Sequence, residues 1–200
     1  MIIVCTRFFI DSREPVFKPI EQAVKKSPLY DPFIISIGYP VKTEGEIFPT
    51  DIVPVIASNT NGRPSVHPMR WGVHMADGTP LFNSRSESAG AKPFFKEDWQ
   101  RRRCIIPASY YFEWNHRKQK YAIQPAGSTI IWLCGIYRFE ETFPYFTILT
   151  REPSADLRAI HDRMPLILPE DKIKEWIHPE TDPGKMLSFA LTDMVYDLAE

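Results

Sequence analysis

The sequence predicts an α+β fold rich in β-structure, built as one compact domain over residues 1–200. Three observations lead there. The chain has 200 residues, 44% of them hydrophobic and 24% charged, which is the balance of a folded globular protein with a real core. Its 19 prolines against 9 glycines favour many short elements joined by stiff turns over long helices. Residues 129–137 and 145–150 are dense in Ile, Trp, Phe and Tyr, the mark of buried strands.

The other elements follow in chain order. Residues 2–10 read as a strand and 19–26 as a short helix before the turn at Pro28. Residues 52–57 and 65–71 read as two strands divided by the turn Asn59-Thr60-Asn61-Gly62. Short apolar or aromatic runs at 104–107, 110–114 and 121–124 add strand character. Helices come late. Ser154 is a candidate N-cap for 155–160, Pro169 suits the first position of a helix through Trp176, and Asp182-Pro183 starts a last one through Phe189.

The formal net charge is −1, so any nucleic-acid binding rests on a local basic patch. Arg101, Arg102 and Arg103 form a basic run, which is usually a solvated face. Cys5, Cys104 and Cys134 contain no CxxC pair and read as reduced thiols of a cytoplasmic protein, with Cys104 and Cys134 inside buried strands. The histidines at 67, 74, 116, 161 and 178 are dispersed without zinc-type spacing, and there is no glycine-rich phosphate loop, so neither metal nor cofactor is expected. No apolar run approaches the ~20 residues of a membrane-spanning helix, so no membrane partner is expected.

Four stretches place reactive groups beside apolar sequence: CTRF from Cys5, FNSRSE from Phe82, YYFEW from Tyr110 and IHDRMP from Ile160. Strand alternation puts Glu113 opposite Phe112 and Trp114, where it is either a solvent-facing carboxylate or a desolvated acid–base group. His161 reads as a structural histidine or as an imidazole oriented by Asp162. Asn83 and Arg85 read as a turn before a helix start, or as a hydrogen-bonding amide and a phosphate clamp.

Together these stretches resemble the SRAP family, the SOS response-associated peptidase domain. The resemblance is carried by CTR, EIFPTDIVPVI, MRWG, NSRSE, RCIIPASYYFEW and IHDRMPLIL in that order, over nearly the whole chain. It implies a fold of barrel-like twisted sheets with a few short helices. It also implies covalent capture of abasic sites in single-stranded DNA, in which an N-terminal cysteine forms a thiazolidine with the ring-opened sugar aldehyde. Residue by residue, Cys5 matches the nucleophile, Asn83 the Asn that hydrogen-bonds the linkage, Glu113 the Glu that assists proton transfer, and His161 the His that acts on the sugar hydroxyl. Arg7 and Arg85 match positions expected to hold DNA phosphates. Pro49, Trp71 and Arg163 complete the expected DNA-binding set. A monomer is expected, because a long strand must enter the site.

Met1-Ile2-Ile3-Val4 precede Cys5 and occupy its α-amine in a peptide bond. Initiation directly before Cys5 or self-processing that removes this leader, using Glu113 and His161, frees the amine. A third reading leaves Cys5 as an internal thiol that forms no cross-link. Two other functions compete with capture: a thiol peptidase acting on other proteins through Cys5 and His161, and a non-catalytic single-stranded DNA-binding module.

Overall fold

The structure, a computed structural model, describes residues 6–199. The strands are β1 (Arg7–Ile10), β2 (Gly45–Ile47), β3 (Ile52–Ser58), β4 (Pro64–Trp71), β5 (Val73–His74), β6 (Pro80–Leu81), β7 (Asn83–Arg85), β8 (Arg103–Ala108), β9 (Tyr110–Trp114), β10 (Lys120–Pro125), β11 (Ile131–Glu140), β12 (Phe143–Arg151), β13 (Met164–Pro165) and β14 (Met194–Leu198). The helices are α1 (Phe17–Lys25), α2 (Tyr30–Ile37), α3 (Ser86–Ala89), α4 (Lys96–Arg101), α5 (Ile173–Ile177) and α6 (Pro183–Met186).

Five strands close into a mixed barrel. In the order β11-β8-β3-β4-β12, β11 pairs with β12 as well as with β8, so the ring has no free edge. Every pairing in the ring is antiparallel except β4 with β12. The expected α+β class and barrel-like sheets are both present. Closure is tight at Gly135, where an added Cβ would stand 2.8 Å from Ile106 Cδ1 and 3.0 Å from the Thr147 oxygen. Strand β8 is buried at every position, so both its faces are covered. One apolar cluster runs through this barrel and into the second sheet, taking in Phe8, Trp71, Ile106, Tyr111, Leu133 and Phe146.

That second sheet has the order β14-β10-β9-β1-β2 and is antiparallel throughout. The chain passes into it from the barrel at a single buried residue, Ser109, between β8 and β9. Ser109 fixes the bend with its backbone N–H and its hydroxyl. Its N–H donates to the Phe9 carbonyl at 2.7 Å, and its hydroxyl oxygen accepts the Asp11 N–H at 2.9 Å. RCIIPASYYFEW is thus one polypeptide run serving two sheets, which is why the sequence shows two strand-like runs with a break between them.

The helices are short, as the prolines foretold, and fill the margins. The helix expected at 155–160 is only a 3-10 turn, Ala155–Leu157, because Ser154 makes no side-chain cap and the next residues turn toward β13. The last predicted helix starts as expected, with the Asp182 side chain accepting the Gly184 N–H. No helix among the described residues is long and apolar enough to cross a membrane.

Candidate functional site

Glu113 lies on β9, with Phe112 and Trp114 on the opposite face of the strand. It is only 4% exposed, and its Oε1 accepts the Trp114 N–H at 3.2 Å. The solvent-facing reading of this residue is therefore overturned. Strand β1 lies alongside, with Arg7 in register with Phe112. Cys5, two residues upstream of Arg7, falls outside the described residues.

The outer side of these strands carries a cluster of cations and aromatic rings. The Arg7 guanidinium sits 4.5 Å from the Phe48 ring and 5.2 Å from the Trp114 ring. The Lys120 ammonium is 3.8 Å from the Phe112 ring, and Lys42 is 5.1 Å from Phe48. Glu46 pairs with Arg7 at 3.2 Å and with Lys120 at 3.4 Å, while Asp51 pairs with Lys42 at 2.7 Å. Three cations against two carboxylates leave this strip positive beside the start of β1. Sequence reading found Arg7 but missed Lys120 and Phe48. Lys120 acquires its place from the register Lys120↔Trp114, which no local pattern reveals.

Trp71 corrects the sequence reading. The indole was expected at a DNA-binding surface, but it is fully buried and cannot stack on a base. It serves as an internal bracket. Its ring lies 5.3 Å from Phe8 and stacks on Phe146 at 6.2 Å, and its Nε1 donates to the Phe82 carbonyl at 2.9 Å. One indole thus holds the beginning of β1 and the residue before Asn83 on its flanks. Gly72 makes the approach feasible. At φ +121° it has no side chain, and a Cβ would fall 2.7 Å from the Phe82 ring. Pro49 lies half-buried in the adjoining loop, followed by Thr50 at φ 78°. That strained residue is pinned by its N–H to the Trp71 carbonyl at 3.0 Å and by Arg70 Nε donating to its carbonyl at 3.1 Å.

Asn83 and Arg85 sit on β7, which runs parallel to the end of β12. Asn83 is half-buried and Arg85 is exposed. On the other side of β12, Thr150 pairs with Pro165 and Arg151 with Met164, so NSRSE and HDRMP meet across one strand end. Arg163 locks them together. Its guanidinium donates to both Glu87 oxygens, at 2.9 and 2.8 Å, and to the Thr150 carbonyl at 2.8 Å. Burial pushes the Glu87 carboxyl up, but the Arg163 hydrogen bonds and charge, with backbone hydrogen bonds, carry it net below the usual carboxylate range. The Arg163 side chain is 12% exposed. Arg163 was expected in the DNA-binding set; here both terminal nitrogens of its guanidinium are engaged by protein groups.

His161 follows the 3-10 turn, its N–H donating to the Leu157 carbonyl at 3.0 Å. Its Nδ1 lies 2.8 Å from Asp162 Oδ1 and 3.1 Å from the Arg163 backbone nitrogen. The adjacent carboxylate therefore points at the imidazole, settling a question that sequence left open.

Among the described residues, no group of three or more His, Cys, Asp or Glu side chains could hold a metal ion. Cys104 and Cys134 are fully buried, and burial pushes both thiols well above the ordinary range. Neither is expected to react with iodoacetamide in the folded protein at neutral pH. Peptide mapping should find them labelled only after denaturation, so any native label identifies Cys5.

The profile of the family described as SOS response associated peptidase (SRAP) matches residues 4–197. The chain belongs to the SRAP family. Among curated relatives, the abasic site processing protein YobE of Bacillus subtilis is 32% identical over 171 residues, covering 74% of this SRAP chain and 77% of its own. YoaM of the same organism, also named an abasic site processing protein, is 32% identical over 157 residues, covering 70% and 68%. A crystallised protein from Bacteroides thetaiotaomicron shares the fold with a TM-score of 0.75 at 21% identity, covering 98% of this SRAP chain and 92% of that protein.

Proposed function

We propose that this SRAP protein captures abasic sites in single-stranded DNA covalently, through Cys5 once that residue is N-terminal. The observation that carries the reading is Glu113, a buried carboxylate on the strand paired with β1, whose first residue, Arg7, lies two positions after Cys5 in the sequence. The names of the curated relatives support it.

The chemistry suits a single residue offering both nitrogen and sulfur. The free α-amine, with a pKa of about 8, is partly unprotonated at neutral pH. It adds to the sugar aldehyde, and loss of water gives an imine. The thiol sulfur then adds to the imine carbon, its proton passes to the nitrogen, and the five-membered thiazolidine closes. Amine, aldehyde and thiol become one ring and one water. The second step is intramolecular, with the large effective concentration this brings. Glu113 moves protons in the addition and dehydration steps, Asn83 hydrogen-bonds the linkage, and His161 acts on the sugar hydroxyl. Arg7 and Arg85 hold phosphates and read no sequence, as suits a lesion with no base. Pro49 presents a fixed apolar edge next to Phe48.

The test uses intact mass and an oligonucleotide carrying one abasic site. A chain starting at Cys5 should give a denaturation-resistant shifted band, absent in Cys5→Ala and strongly reduced in Asn83→Ala. A chain that starts at Cys5 and binds the oligonucleotide without a shifted band reduces the protein to a binding module. Cys5-dependent cleavage of unrelated peptides marks it as a thiol peptidase.

A further inference from the structure

We infer that Asp162 is a positioning residue which decides which nitrogen of His161 carries the proton. The inference rests on the capture reading above and deepens it.

Two groups make opposite demands on one nitrogen. The Arg163 backbone N–H, 3.1 Å from His161 Nδ1, can only donate, and so requires Nδ1 to present a lone pair. The ionised Asp162 carboxylate, with Oδ1 at 2.8 Å from the same Nδ1, can only accept, and so requires Nδ1–H. Both cannot be satisfied together. When Asp162 is in place, Nδ1 is protonated and Nε2 of the neutral ring is a bare base. When Asp162 swings away, Nδ1 accepts from Arg163 and Nε2 carries the proton, as an acid or donor.

The two partners differ in their freedom to move. The Arg163 N–H belongs to a segment fixed by the Arg163 guanidinium on Glu87 and Thr150. The Asp162 side chain is 69% exposed, whereas that of His161 is 12% exposed. The imidazole is therefore enclosed, while its carboxylate partner stands at the surface with room to turn away. The neighbouring Arg163 is paired with Glu87 of α3, and the Asp162 carboxylate is paired with the imidazole.

Sugar ring opening needs such a ring. Nε2 takes the proton of the anomeric hydroxyl, whose oxygen forms the carbonyl as the bond from the anomeric carbon to the ring oxygen breaks. The electron pair of that bond goes to the ring oxygen, which takes the proton back from Nε2. The imidazole begins and ends neutral, and Asp162 stabilises the imidazolium between the two transfers.

The readout is the pair of ring ¹⁵N shifts of His161, measured at a pH where the imidazole is neutral. The wild type should show the Nδ1–H tautomer, and Asp162→Ala should invert to Nε2–H. Cross-linking to an oligonucleotide with closed-ring abasic sugar should slow about tenfold in that variant, on the scale of mistuned acid–base groups. A wild-type ring already in the Nε2–H form, or a tautomer unchanged by Asp162→Ala, overturns the inference. The tautomer readout needs no DNA, so it decides this point even if the wild type forms no cross-link, an outcome that would count against the capture reading alone.

Discussion

Glu113→Gln is expected to slow cross-link formation by about 10²- to 10⁴-fold while leaving the fold intact, the range for loss of a positioned acid–base group. Gln matches Glu in volume and keeps a side-chain oxygen for the Trp114 N–H, now accepted by Oε1 at 3.2 Å. What it loses is the capacity to take and give a proton. At 4% exposure, an ionisable carboxyl in this position works against stability unless its surroundings compensate. Because Gln keeps the volume and an acceptor for the Trp114 N–H, the variant should still melt as a cooperatively folded protein. The two measurements together separate chemistry from structure. A variant that melts like the wild type and cross-links at full rate would make Glu113 a structural carboxylate and remove the acid–base assignment.

The same residue shows how far the sequence could be read. Alternation along YYFEW correctly put Glu113 across the strand from Phe112 and Trp114, because side-chain direction in a strand is a local property. Which side faces water is not local. Here Glu113 lies buried at 4% exposure, while Phe112, on the other face, is buried at 5% beneath the Lys120 ammonium. Strands with a dense apolar run were legible for the same local reason, as were the late helices announced by Pro169 and by Asp182-Pro183. Helix α2 escaped notice, since YDPFIISI is apolar without helical spacing and carries proline in its first turn. Strand β14 escaped because four of its five residues are exposed, so no buried face shows in its pattern. Of the site, Asn83, Glu113, His161 and the arginines could be named from motifs. The burial of Trp71, the engagement of Arg163 and the place of Lys120 depend on which strands become neighbours, and that is set by the whole fold.

Arg103→Met is expected to destabilise the protein by about 3–5 kcal/mol, the scale for stripping the partner from a buried charged network. For a chain of this size that lowers the melting temperature by about 10 °C. Within the basic run 101–103, sequence alone could not tell the three arginines apart. Arg102 pairs with the exposed Glu97 at 2.8 Å and the buried Asp98 at 2.7 Å at the end of α4 and is itself partly exposed, whereas Arg103 is 1% exposed. The Arg103 guanidinium is solvated by backbone. It donates to the carbonyls of Trp176 at 2.7 Å, Trp99 at 2.9 Å and Thr181 at 3.0 Å, and to those of Gln100 and His178. These carbonyls lie at the ends of α4 and α5 and in the turn beyond, where helices leave acceptors unpaired. One side chain on β8 thus ties two helix ends to the barrel. Burial lowers its pKa to about 10, against a raising influence from Asp182, so it remains a cation throughout the physiological range. Met fills the space and leaves the carbonyls without their donor, and the penalty is largest at the buried Trp176 and Trp99 contacts. Arg103→Lys should be intermediate, since an ammonium has three protons and a shorter reach where the guanidinium serves five acceptors. Urea denaturation of the three proteins measures the order. A loss below about 1 kcal/mol in Arg103→Met would mean that water replaces the guanidinium there, and that the helix ends hold to the barrel through apolar packing alone.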